Sequence, residues 1–254
     1  MYLPKALRAI LLVLCLAASC PGYGQGPPIT ADKPIMLGGG ATIFKTLTEV
    51  RVLERGTAVY APLMAHYLPS SNTLVAVHLP FVDLEGDRGL ADIKILSKFQ
   101  FYRKDGKAKT LRMVLKSLTS LPTGRKLDLL DYSTGEWQQY FAVVAGREAL
   151  RLGISAEAGY SLGFHEVPDE LRVKFGLGVP LLKPTYPVNQ LNLYFEWAMD
   201  YQPQLEGTTI KYAQGIQYAR GTWTWETSFL VPLVQNNVFD RQKYTLLFGL
   251  RKII

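Results

Sequence analysis

The sequence predicts an all-β protein: an antiparallel transmembrane β-barrel of about 12 strands, preceded by a cleaved signal peptide. Three observations carry this. Apolar and polar residues alternate with a period of two from about Thr42 to near the C-terminus. A charged then apolar segment opens the chain, and no later stretch approaches the 18 uncharged apolar residues of a spanning helix. Both cysteines, Cys15 and Cys20, fall within that opening segment, so the mature chain has neither disulfides nor cysteine-based zinc sites.

Lys5 and Arg8 form the charged start of the signal, and Ala9 to Ala18 its apolar core. Gly22-Tyr23-Gly24 then offers a cleavage site before Gln25. Ten or so apolar residues are too few to span a bilayer, and Ala17-Ala18-Ser19-Cys20 is an alternative lipoprotein site. Removing residues 1–24 removes Lys5 and Arg8 and no acid, so the net charge falls from +7 to +5 (+7 − 2). Export and the lack of a basic cluster argue against a nucleic-acid partner. Residues 25–42 contain Pro27-Pro28, Pro34 and Gly38-Gly39-Gly40 and are expected to form an extended periplasmic lead-in. No Lys-Ser/Thr follows the triple glycine, so it is not a phosphate loop.

The barrel domain is expected over 43–254. Its first strand is weak, near Thr46 to Leu53. Val59, Ala61, Leu63, Ala65 and Tyr67 then share a face, as do Val75, Val77, Leu79 and Phe81. From Ala91 to Phe101 the odd positions are almost wholly apolar, and the even ones carry Asp92, Lys94, Lys98 and Gln100. A turn at Lys104-Asp105-Gly106-Lys107, with Gly106 supplying a positive φ, leads to a return strand carrying Leu111, Met113 and Leu115 opposite Arg112 and Lys116. That strand stops at Leu121-Pro122-Thr123-Gly124, because proline cannot donate to a ladder.

Gly89-Leu90-Ala91-Asp92, Ser97-Lys98-Phe99 and Leu121-Pro122-Thr123-Gly124 resemble, in order and spacing, three blocks of the outer-membrane family named for the meta-pathway of phenol degradation. Ala91 stands where that family usually has glycine. The resemblance runs from about the first strand to the C-terminus. It implies a β-barrel transporter for small, poorly polar organic compounds, in a bacterial outer membrane.

Further rows follow: Trp137, Phe141, Val143 and Ala145; Leu152 to Leu162 in steps of two; and Leu171 to Val179 likewise. Leu191, Leu193, Phe195, Trp197 and Met199 oppose Asn192, Glu196 and Asp200. Rows at Ile210 to Tyr218, Trp223 to Val231 and Tyr244 to Leu250 complete the count. With both termini periplasmic, connections should alternate short inside and long outside. Arg55 to Thr57 is too short for this rule and Leu181 to Gln190 too long.

The same alternation fits a soluble sandwich, in which the charged face meets bulk water. In a membrane barrel that face lines a lumen, where unlike charges neutralise one another and glycines make room. The polar rows hold nine bases, Lys94, Lys98, Arg112, Lys116, Arg151, Arg172, Lys174, Lys211 and Arg251, against five acids, Asp92, Glu157, Glu196, Asp200 and Glu226. Gly153, Gly159, Gly176, Gly178, Gly215 and Gly249 lie among them. These charged residues are the expected lumen lining, and their excess of bases implies a small channel preferring anions or neutral solutes.

A barrel enzyme needs a nucleophile with a positioned base, or paired acids. His66 and His78 fall on inward rows of consecutive strands with no serine or aspartate that spacing singles out, and His165 lies in a connection. No catalytic or calcium-loop motif is present, so no catalytic residue, metal or cofactor is expected. The expected function is transport, with lipid and a small solute as partners. An enzymatic or structural barrel is the alternative.

Overall fold

A computed structural model describes residues 29–126, 133–165, 167–182, 185, 187–238 and 241–254. The signal expected over 1–24 lies outside them. The strands are β1 (Thr42–Leu53), β2 (Thr57–Ser70), β3 (Thr73–Leu84), β4 (Asp87–Leu90), β5 (Lys94–Gly106), β6 (Lys109–Ser120) and β7 (Gln138–Ala149), then β8 (Gly153–Gly163), β9 (Glu170–Pro180), β10 (Asn189–Gln202), β11 (Gly207–Arg220), β12 (Trp223–Asn236) and β13 (Gln242–Ile253). All neighbours are antiparallel, β1 pairs with both β2 and β13, and β2 pairs with β3, so the sheet closes. Twelve strands form the barrel. The short β4 folds back on the outer end of β3, whose other end pairs with β5.

Closure satisfies every strand edge, as a sheet in lipid requires. The outward row is apolar: Leu63, Phe99, Leu115, Phe141, Phe229 and Phe248 are all exposed. The inward row is polar and buried, with Glu157, Asn192, Glu196, Gln217 and Glu226 each under 5% exposed. A soluble sandwich has the reverse arrangement, so this is a transmembrane β-barrel. The connections after β3, β6, β8, β10 and β12, the longer kind, leave from one rim, and the short turns at 71–72, 107–108, 150–152 and 221–222 lie on the other. The β1–β2 connection, 54–56, shares the first rim and the β9–β10 connection leaves from the second, and these are the two that break the length rule in the sequence.

Several expectations need correction. The first strand starts at Thr42, not Thr46. The hairpin turn falls at 107–108, with the positive φ on Ala108 and not Gly106. The cause is an extra residue at Phe101, where the β5–β6 register shifts and the loop shrinks to two residues. Phe195 keeps the outward phase of Leu193 and Trp197 but is only 6% exposed. Beside it Trp197 packs against Phe175 and Tyr212, with ring centroids 5.9 and 5.4 Å away.

Candidate functional site: an occupied lumen

Residues 29–41, part of the stretch expected as a lead-in, run inside the barrel. The segment is tied in at the short-turn rim, where the Gly40 amide donates to the Leu68 carbonyl and the Thr42 amide to that of Ile254. From there it rises along the wall. Met36 is buried among Leu68, Leu74, Ala76, Leu96, Val114 and Val144. Lys33 pairs with Glu148 at 2.5 Å. Asp32 accepts from Lys98, and from Lys116 at 3.0 Å. The amides of Thr30 and Ala31 donate to Glu196, the latter at 2.7 Å. Lys174 donates to the Thr30 carbonyl at 3.2 Å.

Two glycines make the wall fit this segment. A Cβ on Gly146 would stand 2.7 Å from Pro34 Cδ, and one on Gly215 would stand 2.4 Å from Ile29 Cδ1. Pro34 suits an extended strap that cannot pair as a strand, since it lacks an N–H.

Around the segment several of the inward charges are paired. Glu157 accepts from Lys116 at 3.0 Å and from the Tyr140 hydroxyl at 2.6 Å. Asp200 bridges Arg172 and Lys211, each at 2.9 Å. Glu226 meets Lys45 at 3.0 Å and accepts from Gln217 at 2.9 Å. Arg172 also holds Glu170. The Lys116 ammonium and the Arg172 guanidinium lie 5.4 and 5.6 Å from the centre of the Tyr140 ring. Toward the long-loop rim an open pocket lies between Lys94, Tyr140, Gln138, Glu170, Arg172 and Gln202.

Burial alone would raise the Asp32 carboxyl, but Lys98 and Lys116 outweigh it and hold Asp32 well below the ordinary carboxylate range. Burial depresses the Lys33 ammonium, and Glu148 only partly restores it.

Of the expected lining residues, Lys98, Lys116, Glu157, Arg172, Lys174, Glu196, Asp200, Lys211 and Glu226 converge on this network. Lys94 faces inward with its ammonium 5.6 Å from the Tyr60 ring centre, and Arg251 shares the inward phase of Leu247 and Gly249. Arg112 sits at the short-turn end, where its Nε donates to Thr110 at 3.1 Å. Two residues depart from the expectation. Arg151 is exposed in the 150–152 connection, ahead of the β8 ladder that would have turned it inward. Asp92 is 1% exposed, but it serves the loop at the long-loop rim, accepting the amides of Gly124, Thr134 and Gly135 at 2.9–3.0 Å. His66 and His78 stack with ring centroids 5.5 Å apart, and neither Nε2 has a hydrogen-bond partner among the described residues.

Asp32, Lys33, Glu148, Tyr140 and Lys45 were missed. A signal for the first existed: nine bases against five acids on facing rows need further anions, and Asp32 is an acid in the stretch just before the barrel.

A closed barrel with an apolar exterior and a filled, ion-paired lumen defines a class, the transmembrane β-barrels. Among solved structures, an outer membrane channel from Pseudomonas putida F1 superposes with a TM-score of 0.66 at 11% identity, covering 89% of this chain and 100% of that one. The β domain of the Bordetella autotransporter BrkA gives 0.50 at 12% identity, covering 85% and 100%. At these identities the likeness is one of fold. No family model matches the chain, and no curated protein matches it by sequence. The resemblance to the phenol meta-pathway family therefore rests on the three motif blocks alone.

Proposed function

We propose that the chain is an outer-membrane channel for small solutes, with residues 29–41 as its internal plug. The reading rests on one observation above all: a segment continuous with β1 occupies the lumen through Asp32, Lys33 and Met36, beneath a pocket on the long-loop side. The fold likeness to an outer membrane channel supports it. The short-turn rim, which holds the entry to β1 and the end of β13, is then periplasmic, and the pocket is the outer vestibule. Solutes pass when the plug shifts. The motif resemblance implies poorly polar organic solutes. The charged wall at Lys98, Lys116, Glu157 and Arg172 favours ones that also carry polar or ionised groups.

Planar-bilayer recording of the purified chain tests this. Wild type should give small, intermittent conductance with mild anion preference. Lys98→Glu/Lys116→Glu repels Asp32 and reverses the wall charge, so it should conduct more steadily and shift the reversal potential in a salt gradient toward cations. Absence of conductance in both, with no solute uptake by liposomes, would end the channel reading.

A further inference from the structure

Lys98 and Lys116 stand directly opposite each other on β5 and β6. Like charges facing across an antiparallel ladder repel, so this pair requires an anion between them. Asp32 supplies it, one carboxylate oxygen to each ammonium. Lys116 has Glu157 as well, whereas the carboxylate that Lys98 touches is that of Asp32. Apolar wall adjoins the two lysines. Leu74 faces Lys98 across β3 and β5, Leu96 lies two residues along β5, and Val114 lies two residues along β6. Against Leu74, Leu96 and Val114 the same segment packs Met36, an unbranched apolar side chain.

The segment thus offers the wall a carboxylate and, four residues on, an apolar group. We infer that this wall is a binding site for small amphipathic carboxylates, which the plug occupies as an internal mimic. A soluble acid takes the place of Asp32 between Lys98 and Lys116, and its apolar body takes the place of Met36. Binding such an acid removes the contacts that hold the plug. A purely apolar solute would leave the buried Lys98 ammonium without the carboxylate it touches and Lys116 with Glu157 alone, and a bare inorganic anion would leave the apolar half uncovered. Because Asp32 is tethered, its effective concentration is on the order of millimolar or above, so competing acids act in that range. This inference rests on reading residues 29–41 as a displaceable plug.

The mature chain's lack of cysteine makes a single reporter clean. In the Met36→Cys variant of the mature chain, residues 25–254, labelling by a water-soluble maleimide reads exposure of the plug. Sodium benzoate should raise the labelling rate several-fold, sodium acetate less, and benzamide, which has the ring without the charge, not at all. In a Lys98→Met/Lys116→Met background, labelling should be fast from the start and indifferent to benzoate. Asp32→Asn, with Met36 intact, provides a second measurement: it should bind benzoate more tightly than wild type by calorimetry. No benzoate effect on labelling, an equal effect of benzamide, or equal benzoate affinity in Asp32→Asn and wild type would overturn the site. The channel reading fails separately. A protein that conducts in bilayers but ignores benzoate keeps the channel and loses the site, and one that responds to benzoate without conducting does the opposite.

Discussion

The amide of Gly124 donates to the carboxylate of Asp92 at 2.9 Å, at a point where the two backbones touch. A Cβ on Gly124 would lie 2.3 Å from the carbonyl carbon of Ala91 and 2.5 Å from the amide nitrogen of Asp92. Two of the motif blocks, Gly89 to Asp92 and Leu121 to Gly124, are therefore two sides of one contact. The Arg125 amide adds a bond to the Leu90 carbonyl at 3.1 Å, which continues the wall past the short β4.

Breaking this contact should loosen the outer rim. Asp92→Ala leaves three backbone amides without their acceptor, at about 1–3 kcal/mol where they stay buried. Gly124→Ala forces the backbones apart. Both variants should keep a folded barrel but be cut faster by protease added outside liposomes, within 121–137. Unchanged cleavage would mean that the loop is held by something else.

The wall face is tested by arginine. Leu115 lies near the middle of β6 and is 50% exposed on the outward row, so Leu115→Arg should cost about 2–4 kcal/mol in urea unfolding from liposomes. Gln138→Arg projects into the polar pocket and should cost much less. Equal costs would contradict the strand phase.

Steric displacement of the plug should open the pore. Gly146→Leu places a branched side chain where Pro34 packs, with room for not even one carbon. The outward row is untouched, so insertion should survive while single-channel conductance rises above wild type. Conductance equal to wild type would mean that the segment does not limit the path.

The pH response follows from Asp32. Its folded carboxyl is held below the ordinary value, so its contribution to plug docking is fully present above the ordinary carboxylate pKa. It is lost only as the pH falls through the depressed value. Asp32 should therefore produce no change in conductance between about pH 8 and 5, with opening confined to strongly acid solution. Asp32→Asn should be more open at neutral pH and flat throughout. Wild-type opening near neutral pH would place the control on another group.

The fold was legible in the sequence because the side-chain period of a strand is a local property. Alternation at Ile93 to Phe101, Leu152 to Leu162 or Leu191 to Met199 fixes which face meets lipid, whatever the partner strand is. Ion pairing inside the lumen was legible only as a charge imbalance. Arg151 was misplaced because alternation cannot tell the last residue of a turn from the first of a strand. The turn at Ala108 was missed because a single-residue bulge at Phe101 leaves no compositional mark. Tertiary structure alone decided the position of residues 29–41. A Pro- and Gly-rich stretch has no period to read, and its conformation is set by what surrounds it. Lys98, Lys116 and Glu148 come from three consecutive strands and Glu196 from β10, and only the curved wall of the barrel brings all four around Thr30 to Lys33.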